Sequence, residues 1–108
     1  MSGNGPGITK PNGDYDSLPN CENLSFSVVL SSPQDEAMYG LEIGINLIVS
    51  IEDGVVVAKK ENTDQIVGSI NWANINHLIK CIEDGFQYCA KIININDGYI
   101  KTHVMIKE

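Results

Sequence analysis

The sequence predicts a mainly β, α+β domain: a six-stranded antiparallel curled sheet or partly open barrel, capped by one principal helix. Three observations predict it. Short stretches of alternating apolar and polar residues recur along the chain, and turn sequences such as Glu52-Asp53-Gly54 and Asn96-Asp97-Gly98 separate them. One stretch, Ile66 to Gly85, leaves the period of two for a period near 3.6.

Residues 1 to 20 hold four glycines and three of the four prolines, with little apolar periodicity. Such a segment cannot offset its ordering entropy, so residues 1–20 are expected to be a disordered tail and 21–108 the single folded domain. Should the tail bind a partner, Ile8, Tyr15 and Leu18 are its anchors.

Leu24, Phe26, Val28 and Leu30 alternate against Ser25, Ser27 and Val29, the pattern of a half-buried strand. Ser32-Pro33-Gln34-Asp35 then predicts a helix of one or two turns, with Ser32 as cap, Pro33 at the first position and Gly40 as stop. In the next strand Ile43, Ile45, Leu47, Val49 and Ile51 share one face, opposite Asn46 and Ser50. Asp53-Gly54 favours the positive dihedral angles of a hairpin turn, Val55 to Lys59 return, and Glu61 to Asp64 turn again before Gln65 to Ile70. These three strands form an antiparallel meander. Gly68 inside the last of them marks a bulge or a close backbone approach, where the strand bends toward the helix.

Ile75, Leu78, Ile79 and Ile82 fall at i, i+3, i+4 and i+7, one apolar stripe flanked by Trp72 and Cys81. Asn71 or Asn74 is placed to cap this helix, and Gly85 suits the left-handed position after its last turn. Its polar face carries Asn76, His77, Lys80, Glu83 and Asp84. Phe86, Tyr88, Ala90 and Ile92 then alternate into the hairpin at Asn96-Asp97-Gly98. In the final strand Ile100, Thr102, Val104 and Ile106 face inward, Lys101 and His103 outward.

Seven lysines face fourteen acids with no arginine, giving a net charge of −7 and a pI near 4.6. Basic charge supplies most generic affinity for nucleic acid, and arginine is the usual bidentate phosphate ligand, so the composition disfavours tight binding of DNA or RNA. No run of eighteen apolar residues and no secretory leader is present, so no membrane span is expected and the location is expected to be cytoplasmic. Cys21, Cys81 and Cys89 are an odd number in a short chain. The expectation is therefore reduced thiols without a disulfide framework, with Cys81 and Cys89 as buried small hydrophobes.

His77-x3-Cys81-x7-Cys89 matches no standard zinc spacing, and no metal or other cofactor is expected. Glycine loops for phosphate, G-x-S-x-G and H-E-x-x-H are all missing, so no enzyme is expected. His77 and His103 are the candidate acid–base groups, each without a companion constellation. Trp72 and Tyr99 are the aromatics expected to be partly exposed, where they could stack on a base or grip a partner, although a tryptophan at a helix start more often serves as a lid on the core. With Lys59, Lys60 and His77 they make up the candidate ligand- or partner-binding set.

From about Gly44 to Ile106 the order of elements resembles the HIRAN domain. The residues that carry the likeness are Gly44, Leu47 and Val49, the valines 55 to 57, Ile66-Val67-Gly68, Leu78, Ile79 and Ile82 in the helix, and Gly85, Tyr88 and Ala90 before the closing hairpin. The resemblance implies a modified six-stranded barrel and, in members that bind DNA, capture of single-stranded 3′ ends by aromatic and basic residues. Here the family's E-P-x-N-x-x-D segment is replaced by Ser50-Ile51-Glu52-Asp53-Gly54. The chain is also similar to short stand-alone bacterial proteins that carry C-x-x-L-x-F, S-S-P, V-G-S and C-I-x-x-G, matched by Cys21, Leu24, Phe26, Ser31 to Pro33, Val67 to Ser69, Cys81, Ile82 and Gly85. The expected function is a non-enzymatic adaptor docking on a larger bacterial protein, such as a nuclease, helicase or defence component. The alternative is HIRAN-like binding of single-stranded DNA ends.

Overall fold

A computed structural model describes residues 18 to 107, and in it the alternating stretches become six strands. These are β1 (Phe26–Val29), β2 (Asn46–Glu52), β3 (Val55–Lys59), β4 (Ile66–Ser69), β5 (Tyr88–Asn96) and β6 (Tyr99–Ile106), with one helix, α1 (Ile75–Glu83), between β4 and β5. All pairings are antiparallel, in the spatial order β1-β6-β5-β2-β3-β4. The sheet curls into a half-barrel until its two edges meet at one point. There Ser31 and Ser69 exchange backbone hydrogen bonds of 2.8 and 2.9 Å.

The inward alternation of the strands builds the core. Phe26, Leu47, Val49, Val56, Ala58, Val67, Tyr88, Ala90, Ile92, Ile100 and Val104 are all buried. Both aspartate–glycine hairpins have positive φ at the two central residues, 53° and 80° at Asp53-Gly54 and 46° and 81° at Asp97-Gly98. That is the twist which matches right-handed strands.

Helix α1 lies at the end of the half-barrel where β4 ends and β5 begins, and Leu78 and Cys81 enter the core at 0 % exposure. Ile75, Ile79 and Ile82 pack around them. The stop at Gly85 is a Schellman motif: Phe86 N–H donates to Cys81 C=O and Gly85 N–H to Ile82 C=O. The start differs from expectation. Asn74 occupies the cap position, but its side chain makes no capping bond.

Other boundaries also move. Ser32 has φ of 50° and caps nothing; the short turn that follows is a 3-10 helix over Asp35–Met38, because Gln34 N–H is already bound to Val67 C=O and holds the chain against β4. Strand β2 starts at Asn46, not Ile43. Ile43 is 65 % exposed; the chain turns at Gly44, with φ of 101°, and first meets β5 there, where Gly44 N–H donates to Ile92 C=O at 2.7 Å. Leu24 and Leu30 are buried as expected but lie outside the four-residue ladder of β1.

The cysteines overturn their prediction. Cys21 and Cys81 form a disulfide, with Cα atoms 5.5 Å apart across 60 residues of sequence. A 3-10 turn at Cys21–Asn23 lies against α1, and that long-range proximity is encoded by no local spacing. Cys89 is half-buried on the outer face of β5, opposite Met105 and Ile48, and does not join the core. Of the expected tail, residues 1–17, including Ile8 and Tyr15, lie outside the described residues. Pro19 lies within them and accepts a hydrogen bond from His77 Nε2 at 2.8 Å.

Gly68 sits where the sheet edges meet. A Cβ there would stand 3.0 Å from both the Leu30 Cβ and the Ser31 carbonyl oxygen, so the close approach read from the sequence is real. Gly68→Ala is expected to cost about 1–3 kcal/mol, as overpacking does in a filled interior. Urea denaturation checks it, and an unchanged midpoint would mean that the edges do not touch.

Candidate functional site

Along β6, and along β5 as far as Ile92, the side chains alternate, so the residues not in the core share one outer surface; past Ile92 a bulge shifts the register of β5 by one residue. On β6 these are Tyr99, Lys101, His103 and Met105, and on β5 Cys89 and Lys91, with Ile93 exposed at the bulge and Asn94 set opposite Lys101. Strand β1 adds Ser27 and Val29. The register sets Ser27 opposite His103, His103 opposite Lys91, and Val29 opposite Lys101.

The charge on this surface is unlike that of the chain as a whole. Strands β1, β5 and β6 contain no aspartate or glutamate. The ion pairs among the described residues use Lys59 and Lys80, and none involves Lys91 or Lys101. Around the two lysines Val29, Ile93, Tyr99 and Met105 remain exposed. His103 Nδ1 and Ser27 Oγ are hydrogen-bonded at 3.0 Å, which fixes the imidazole beside β1. Burial pushes the Cys89 thiol up, an effect the nearby Lys107 ammonium partly offsets.

The residues chosen from the sequence are scattered over this frame. Trp72 stacks on Phe26 with ring centroids 3.8 Å apart and planes 2° from parallel, so its face meets the protein's own aromatic. Lys59 donates to Glu52 Oε2 at 3.0 Å, and that hydrogen bond, with the ammonium's charge, holds the Glu52 carboxyl below its usual range. Lys60 Nζ donates to the Tyr39 carbonyl. His77 is bound to Pro19. Tyr99, beside the β5–β6 turn, is the one that belongs to the outer surface just described. Among the described residues no hydrogen bond or ion pair joins any two of the five.

Lys91, Lys101 and Val29 were missed as a group. The signal was present, since the outward position of Lys101 and His103 follows from alternation, but their partners depend on β6 lying between β1 and β5.

A cleft of about 510 Å3 opens elsewhere, lined by Tyr39, Leu41, Asn46, Lys60, Glu61 and Thr63 among others. Its one ammonium is committed to the Tyr39 carbonyl. Among the described residues no three His, Cys, Asp or Glu side chains are gathered as metal ligands, and no helix is long and apolar enough to cross a membrane. Comparison with protein-family models, with curated proteins and with solved structures yields no match.

Proposed function

We propose that this chain is a non-enzymatic interaction module that docks through the outer face of β1, β6 and β5 on an acidic region of a larger protein. The observation that carries the reading is the segregation of charge. Among the described residues Lys91 and Lys101 have no carboxylate partner, and they stand on three acid-free strands of a chain whose net charge is −7. Unpaired cations beside exposed apolar side chains suit a complementary acidic surface, and the remaining negative charge turns away other approaches. The HIRAN-like alternative draws on the same face, where Tyr99 and Lys101 lie in one row of β6. It is the second reading because the acids elsewhere oppose a polyanion. Disulfides persist mainly in oxidising surroundings, so the Cys21–Cys81 bond counts against the expected cytoplasmic location.

The test compares wild type with Lys91→Glu/Lys101→Glu as bait for partners from the native source. Association at low ionic strength is expected to fall at least about tenfold for the variant. Retention of every partner by the variant would sink the proposal, and tight binding of a 3′-ended oligonucleotide in place of protein would transfer the face to the alternative.

A further inference from the structure

Successive residues of an antiparallel strand send their N–H and C=O groups to opposite sides. In the first strand and the residues after it, Leu30 N–H donates to Ile100 C=O on β6, whereas Ser31 turns the other way and pairs with Ser69. Counting back by twos from Ser31, Val29 and Ser27 also direct their backbone groups away from β6. Among the described residues no backbone group meets them.

The opposite edge of the seam is closed to an incoming strand. Val67 C=O accepts from Gln34 N–H, Ser69 is paired with Ser31, and Ile70 N–H turns inward to Val56 C=O. Beyond that point the two edges separate, and the Trp72 ring on Phe26 seals the core between them. Among the described residues the backbone edge of β1 stays open, with two donors and two acceptors at Ser27 and Val29.

We propose that β1 is a strand-addition site, and that its occupant is an extended segment of the partner in which acidic and apolar residues alternate. This rests on the docking face proposed above and specifies how the partner is held. In a directly opposed antiparallel pair the two side chains lie on the same face. A residue paired with Ser27 or Val29 therefore projects onto the outer surface, toward His103 and Lys101, which are the cross-strand partners of those two positions. Carboxylates suit those places, and the small Ser27 leaves a path across. The intervening residues project to the inner side, near Phe26 and Trp72, and suit apolar side chains.

A second copy of the chain fits less well, because edge-to-edge pairing would press two bodies of charge −7 together.

The test uses the full chain and a blocked decapeptide of alternating glutamate and valine, followed by NMR titration and amide exchange. Binding is expected to protect the Ser27 and Val29 amides. N-methylation of the glutamates, whose N–H groups would face β1, is expected to weaken binding about tenfold or more, and N-methylation of the valines to leave it nearly unchanged. Equal binding by the two methylated peptides overturns strand addition. So do no binding of the parent peptide at millimolar concentration, and protection of Ser27 and Val29 in the unliganded chain. A dimer in sedimentation that carries the same protection replaces the acidic segment with a second copy and also overturns it. Binding that is indifferent to methylation yet lost in Lys91→Glu/Lys101→Glu would leave the docking face standing and remove the strand-addition step alone.

Discussion

Cys21→Ser is expected to lower the stability of the fold by roughly 4 kcal/mol, the loop-closure entropy of a cross-link spanning about 60 residues. For a domain of this size that corresponds to a fall in Tm on the order of 15–30 °C. The bond holds the entering chain at Cys21–Asn23 against α1, and two polar contacts depend on that placement. The Tyr88 hydroxyl donates to the Cys21 carbonyl at 2.6 Å, and His77 holds Pro19. Tyr88 is itself buried, and burial pushes its phenol up, so loss of the Cys21 carbonyl would strand a neutral hydroxyl in the core. The measurement has an internal control. Reductant should move the wild-type melting curve to that of the variant and leave the variant unmoved. A wild-type curve insensitive to reductant would refute the pairing.

Leu78→Ala is the second large effect, with an expected loss of about 3 kcal/mol. Leu78 has no exposed surface and stands in the middle of the α1 stripe, so truncation leaves a cavity between the helix and the half-barrel. The denaturation midpoint should drop while the denaturant slope stays near wild type. A loss below about 0.5 kcal/mol would mean that the helix does not plug the sheet, since exposed helical positions rarely cost more.

The elements were legible wherever one residue determined its own neighbours. Alternation in Tyr88 to Ile92 and Ile100 to Val104 sorts inner from outer side chains without any knowledge of partners, and aspartate–glycine pairs fix two hairpins by backbone preference alone. The stripe of α1 and its glycine stop are local in the same sense. What was not legible depended on distant segments. Ser32 has the composition of a cap, yet the Ser31–Ser69 bridge sets its backbone before any helix can start. Ile43 continues the alternation perfectly, but the chain meets β5 only from Gly44, whose N–H donates to Ile92 C=O, and Ile43 is left outside the sheet. Cys21 and Cys81 carry no sign of each other in the sequence. The candidate face was half legible: alternation puts Lys101 and His103 outside, and only the spatial order of strands supplies Lys91, Ser27 and Val29. Trp72 was read as a partly exposed aromatic that more often serves as a lid on the core than as a grip. It is half-buried as that lid, but Phe26, on which it stacks, lies 46 residues earlier in the chain and could not be named from the sequence.

The tie between Cys21 and Cys81 closes a covalent ring that carries β1 through β4, and β5 and β6 lie outside that ring. Yet in the sheet these two later strands sit between β1 and β2. The ring therefore cannot complete its own ladder: a gap two strands wide stays at its centre until residues 88 to 106 have been made and have entered as a wedge. Assembly that waits on such distant pairings is slow. Oxidation before the wedge enters would fasten the rim around an unfilled middle, so the order in which thiols and hairpin close decides whether the chain matures or is trapped.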